Sequence, residues 1–274
     1  MRRDYSTFAN TIVATTASTK SHKDALPQEA VSKIDMLMTG TNNSLVGSGV
    51  DSYKVKRGSR EFWNVIPTHL RALLEALLGP LGGTLPAAAG LAYTVPLDLF
   101  ISAPGVSVGL PSDATPKQKD LEIYLNAANS STGSSKVAGW EVPDREPTHM
   151  SMVKGDTTGI AGARDPGTYN IESEDPDNDL FLGFILPLGA TTAYIEKMQI
   201  LRKIPGGFDK LFEGERDGIY RSQAGSNPST IVDPFFFRLP DAPLTMPRGS
   251  KILFKTGASA LGGDVITPVY LRRL

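Results

Sequence analysis

The chain has 274 residues, enough for one large domain or two ordinary ones, and is 40% hydrophobic and 21% charged, the composition of a folded protein. Its 28 basic and 29 acidic side chains nearly cancel, which excludes a global attraction to nucleic acid or to an acidic surface. Cysteine is absent, so disulfides, thiolate nucleophiles and Cys-ligated metals are excluded, and folding in a reducing cytoplasm is expected.

Along the chain, Met1-Arg2-Arg3-Asp4-Tyr5 is followed by small polar residues rather than an apolar core, so no signal peptide is expected. The most apolar stretch, 70–81, carries Arg71 and Glu75 and falls short of a membrane span. The β-branched run 11–16 predicts a strand. A second strand is predicted over 31–38, where Ile34, Met36 and Met38 alternate with Lys33, Asp35 and Leu37. Asn42, Asn43, Gly47 and Gly49 mark a loop, and 53–56 alternates again. The period then changes. Phe62, Ile66, Leu70, Leu73, Leu74 and Leu77 fall on one helical face, predicting a helix that ends at Leu78. Asn64 is its expected cap, Pro67 sits in its first turn, and Gly79-Pro80 stops it. Strands follow over 93–102 and 121–125, then a Ser/Gly-rich loop over 129–135.

The second half runs on the same plan. The continuous apolar run 180–186 predicts a buried strand, and 193–201 another. A shorter helix is predicted over 208–220 from Phe208, Leu211, Phe212 and Ile219, although Gly214 and Gly218 interrupt it. Strands over 231–239, 251–255 and 265–271 complete the chain, the first two matching 93–102 and 121–125. An echo supports duplication: Leu26-Pro27 followed by the strand 30–37 returns as Leu186-Pro187 followed by 193–201. A repeat this long is two copies of a domain, not a solenoid unit. The expected organisation is an arm over 1–10, a first domain over 11–154, an inter-domain segment over 155–178 with room for the second domain's opening strand, and a second domain over 179–274. The architecture expected is all-β: two tandem sandwiches with long irregular connections, which favour Greek keys, and one helix inserted in each.

This order of elements resembles the double jelly-roll major capsid proteins of icosahedral viruses with an internal lipid membrane, and most of all the short corticovirus-like versions from bacteriophages. The resemblance is carried by 26–37, the helix ending at Leu78, 186–201 and the terminal strands 231–239, 251–255 and 265–271. It implies two tandem jelly rolls side by side, a homotrimer of pseudo-hexagonal outline, and trimers tiling a closed shell, a virion component assembled in the host cytoplasm. Other virion proteins would be partners at the vertices. No catalysis, no cofactor and no sequence-specific nucleic acid binding are implied. The N-terminal arm would face the membrane or neighbouring tiles, and Arg2, Arg3, Lys20 and Lys23 give it a local positive charge suited to anionic headgroups.

His22, His69 and His149 are isolated, without the clustering of a metal site, so no metal is expected. The acidic run 172–179 invites calcium but fails the EF-hand pattern, with Leu180 and Leu186 at the key positions, and reads as a solvated linker. Gly47-Ser48-Gly49 and 79–83 lack the Lys-Ser/Thr of a phosphate loop. Glu141 and Asp144 beside Trp140 are the carboxylates best suited to glycoside cleavage, against a packed loop tryptophan. Asn42-Asn43-Ser44 and Asn129-Ser130-Ser131 match the glycosylation sequon without a secretory signal. The alternatives to a capsid subunit are a carbohydrate-binding or glycan-processing sandwich protein, which would display aromatic platforms, and a minor virion or spike protein.

Overall fold

A computed structural model describes residues 2–4, 20–40, 50–66, 68–70, 72–73, 93–98, 106–115, 118–125, 133–154, 163–188, 194–224, 234–257 and 265–274. Of these, only the backbone is described at 2–4, 20–24, 35–40, 50–51, 93–98, 123–125, 133–139, 154 and 223–224. The expected strand 11–16, the Gly-rich stretch 79–90, the loop 42–49 and both sequons lie outside the described residues, as does the end of the first helix. The chain divides into two units, Met1–Met152 with Leu274, and Val153–Arg273.

In the first unit, alternating and β-branched segments form eight strands in two sheets. One sheet has the order β1 (Arg2–Asp4), β8 (Gly133–Val142), β3 (Lys33–Gly40), β6 (Tyr93–Asp98). The other has the order β2 (Lys20–Ala25), β7 (Lys119–Leu125), β4 (Val50–Arg57), β5 (Arg60–Val65). The strands within each sheet pair antiparallel. First next to last, second next to second-last: this is the interleaved order of a jelly roll, two Greek keys wound together.

The second unit repeats the permutation. Its sheets run β10 (Arg164–Asn170), β16 (Lys251–Thr256), β12 (Ile195–Ile204), β13 (Gly207–Glu215), and β14 (Phe235–Arg238), β11 (Leu180–Leu186), β17 (Thr267–Arg273). A two-residue strand, β15 (Leu244–Thr245), adds to β11. These orders match β2-β7-β4-β5 and β6-β3-β8 strand for strand. In chain order the place of β1 falls to β9 (His149–Lys154), which carries the chain from one unit into the next. The protein is two tandem jelly rolls.

This topology corrects the register of the sequence echo. The echo aligned the strand after Leu26-Pro27 with the strand after Leu186-Pro187, that is β3 with β12. By position in the sheets the counterpart of β3 is β11, and β12 answers to β4. A Leu-Pro step marks a strand end generically, because proline cannot donate to a ladder, so it carries no register. The matches of β6 with β14 and of β7 with β16 coincide with the topology.

Both predicted helices begin later than their periodicity implied. Residues 60–65 are strand, not helix: Gly58, at φ 61, turns the chain between Arg57 and Arg60, and β5 pairs with β4. Phe62, Trp63 and Val65 are buried, whereas Ile66, expected on the helix face, is 41% exposed. Helix begins beyond it, at 68–70 and 72–73, with the Leu70 amide donating to the Ile66 carbonyl at 3.0 Å. Asn64 is therefore inside a strand rather than capping. In the second unit the apolar run from Phe208 is β13, paired with β12 across a turn at Gly206 (φ 84). Only Arg216–Ala224 is helical, with Ile219 buried. Each helix still lies between the fifth and sixth strands of its jelly roll.

The second core is built on β11, buried from Phe181 to Leu186. Phe181 packs on Tyr270 (centroids 5.2 Å) and Phe212 on Phe237 (4.7 Å). Gly183, paired with Arg238 on β14, has no room for a side chain: a Cβ there would lie 2.1 Å from the Phe237 carbonyl oxygen. Gly183→Ala must force β11 and β14 apart and is expected to cost about 1–3 kcal/mol. Gly207→Ala, whose Cβ would meet nothing within 4 Å, is the control. Urea unfolding of the two variants measures the difference, and equal midpoints would refute the close approach.

Candidate functional site

Two charged clusters stand out because charge inside a sandwich must be paired. In the second unit, Arg272 near the end of β17 reaches the loop after β10. Its Nε and Nη2 donate to the two carboxylate oxygens of buried Asp179 at 2.9 and 2.6 Å, and Nη1 donates to Glu174. The bidentate bond to Asp179 raises the already high arginine pKa, so the pair stays ionised. In the same loop the Asp175 carbonyl accepts the Asn178 and Asp179 amides at 3.2 and 2.8 Å, and its carboxylate accepts Asn178 Nδ2 at 3.0 and 3.1 Å. The acidic run is thus a turn stapled to a strand by an arginine. Among the described residues no group of three or more His, Asp or Glu is placed to hold a metal.

In the first unit Lys119, at the start of β7, is fully buried. Its ammonium donates to the carbonyls of Glu29 (2.6 Å), Pro111 (2.7 Å) and Gln28 (3.3 Å) and lies 3.6 Å from Asp113 Oδ2. Arg57 Nε donates to Asp113 Oδ1 at 2.7 Å from the other side. Burial pushes the Lys119 pKa down while Asp113 pulls it up. Three carbonyl acceptors and a carboxylate make this a home for a cation.

The residues singled out from the sequence are scattered rather than convergent. Arg2 and Arg3, expected in an arm, lie on β1 opposite Val142 and Glu141. Lys20 and Lys23 lie on β2 opposite Leu125 and Glu122. β1 and β2 each end their sheet's order, so all four basic residues sit on edge strands. His22 is on β2, His69 in the helical segment, and His149 on β9, its Nδ1 3.0 Å from Thr148 Oγ1. Neither tryptophan offers a sugar platform. Trp63 is buried and donates to the Ser151 carbonyl and hydroxyl at 3.1 and 3.0 Å, and Trp140 is nearly buried and donates to Glu29 at 2.8 Å. Glu141 is buried with its carboxylate 3.9 Å from Lys33 Nζ. Lys119, Asp113 and Arg272 were not legible as a site, because only the fold brings their partners in: Lys119 and Arg272 bond to residues some 90 positions away, and Asp113 accepts from Arg57.

Two outcomes follow from burial. Arg272→Met leaves the Asp179 carboxylate buried and uncompensated, an expected loss of about 3–5 kcal/mol. Adding Asp179→Leu should recover most of it, as measured by denaturant unfolding of the single and double variants. His69 is buried and its Nδ1 has no hydrogen-bond partner, and desolvation lowers its pKa from 6.5 to about 4. The unfolded chain binds this proton where the folded chain does not. Stability is therefore lost as pH falls from about 6.5 to about 4, by about 3 kcal/mol. Unfolding free energies across that window should show the slope, and His69→Leu should flatten it.

Comparison with known proteins finds likeness in structure and not in sequence. No protein-family profile and no curated protein matches the chain. Among solved structures, the STIV major capsid protein superposes with a TM-score of 0.61 at 12% identity, over 100% of this chain and 96% of its own. A chain from the atomic structure of Sulfolobus Turreted Icosahedral Virus gives 0.57 at 13%, over 99% and 89%. The major capsid protein P2 of bacteriophage PM2 gives 0.54 at 11%, over 98% and 97%. At these identities the likeness is one of fold, and it runs end to end: both jelly rolls, in the same order, are shared with viral major capsid proteins.

Proposed function

We propose that this chain is the major capsid protein of an icosahedral virus with an internal membrane. The observation that carries the reading is the coincidence of two jelly rolls in one chain with a full-length structural match to two major capsid proteins. Two jelly rolls per chain give a homotrimer six, so a threefold assembly fills a sixfold-like position in a shell, and heterologous contacts that close around it produce a tile. Its work is self-association into a lattice in the virion, after assembly in the host cytoplasm. Other virion proteins meet it at the vertices, and no catalytic step is involved. Arg2, Arg3, Lys20 and Lys23 support a lateral role, because edge strands with basic side chains are where neighbouring tiles or a membrane are met without open-ended sheet pairing.

The full-length chain in solution is expected to have three times the 29.3 kDa mass of one chain by light scattering, and a hexagonal outline in negative-stain images. A stable monomer at micromolar concentration would overturn the reading.

A further inference from the structure

The hairpin of β12 and β13 projects beyond its sheet. The last β12 residue paired with β16 is Leu201, opposite Lys251, and three further rungs follow: Arg202–Asp209, Lys203–Phe208 and Ile204–Gly207. At this tip Phe208 is 42% and Ile204 38% exposed, two of only four large apolar side chains so exposed among the described residues. Strand alternation puts them on opposite faces of the hairpin, so the tip is apolar on both sides. Pro205, Gly206 and Gly207 complete it without a charge.

Cations collar this apolar tip. Lys203 Nζ lies 4.7 Å and Lys251 Nζ 4.6 Å from the centroid of the Phe208 ring. The turn 248–251 is held against the hairpin by the Lys203 amide donating to Ser250 Oγ at 3.0 Å, and brings exposed Arg248. Across 201–210 and 248–251 there are five basic residues and one acid, Asp209, which is paired with Arg202 at 2.6 Å. Among the described residues, Lys203, Arg248 and Lys251 have no carboxylate partner. The exposed acids Glu172, Asp175 and Asp177 follow β10, which pairs directly with β16: Asn170 is opposite Lys251 and the Ile171 amide donates to the Ser250 carbonyl at 2.9 Å. They therefore begin one strand from Lys251 and two strands, about 10 Å, from the β12 cation Lys203, and none of the three is paired with a cation of the tip among the described residues.

An apolar tip flanked by Lys203, Arg248 and Lys251, which have no carboxylate partner among the described residues, is complementary to a surface that is anionic outside and apolar beneath. We propose that this hairpin tip docks on an anionic phospholipid bilayer, with Phe208 and Ile204 entering the interfacial layer and Lys203, Arg248 and Lys251 engaging the headgroup phosphates. The proposal deepens the capsid reading, in which a membrane underlies the shell, but it stands on the chemistry of the tip and is tested separately from trimer formation.

The full-length chain is expected to co-sediment with vesicles of two parts phosphatidylcholine to one part phosphatidylglycerol, and not with phosphatidylcholine alone. Lys203→Gln with Lys251→Gln should weaken that partitioning about tenfold or more, and Phe208→Ser with Ile204→Ser about as much. Phe208→Trp should show blue-shifted emission on adding the anionic vesicles. Indifference of the wild-type chain to them, equal binding to neutral vesicles, or unchanged binding by the serine variant would each overturn the proposal. Light scattering on every variant separates the two readings. Variants that keep the trimer mass and lose the vesicles support docking. Variants that lose both assign the tip to chain–chain contact and overturn it. A wild-type monomer that binds vesicles as described leaves docking standing and removes the trimer.

Discussion

Everything in this protein depends on pairing strands that are far apart in the chain. In a jelly roll the first strand lies beside the last and the second beside the second-last, so each sheet is closed by residues separated by most of a domain. Ile34 meets Trp140, and Lys20 meets Leu125. Closing such loops costs entropy before any contact rewards it. The buried apolar cores of the two units offset that cost, and a few buried polar side chains tie the two ends of a closure to each other.

The buried charges perform that role. Lys119, on the strand that closes one sheet of the first unit, donates to carbonyls of Gln28 and Glu29 and so holds the segment between β2 and β3. Arg272, on the strand that closes the second unit, grips Asp179 just before β11. In each unit an ionised group on a late strand is bonded to a segment laid down some 90 residues earlier. Such groups add little net energy over an apolar substitute, but they tolerate only one arrangement.

Outside the cores, chemistry is distributed unevenly. β11 is buried along nearly its whole length, whereas β13 is exposed at alternate positions and laced with ion pairs, Glu213 meeting both Lys197 and Lys210. These contacts hold the Glu213 carboxyl down to about 2, chiefly through Lys210. The exposed Ile204 and Phe208 at the end of this solvated, charge-laced hairpin stand out against its own surface.

Strands with one unambiguous period were legible in the sequence. The run 180–186 is β11 to the residue, and 251–255 and 121–125 fall within β16 and β7. The all-β class and the capsid-like order followed from them, whereas the duplication was read from an echo of 26–37 in 186–201 whose register the sheets correct. Aromatic-rich segments were not legible. Phe62 with Ile66, and Phe208 with Phe212, satisfy a helical spacing as well as a strand, and the choice was made by turns at Gly58 and Gly206 that bring a partner strand alongside. The register of the repeat was beyond the sequence too, since Leu-Pro steps recur at strand ends regardless of which strand they precede. So were the clusters around Lys119 and Arg272, and the exposed tip. The amino-acid sequence by itself determined which segments are apolar, where the chain turns and that it does so twice. Only the tertiary structure decided which strands lie together, and with them which charges are buried and which apolar side chains are left outside, because burial is a property of neighbours and not of residues.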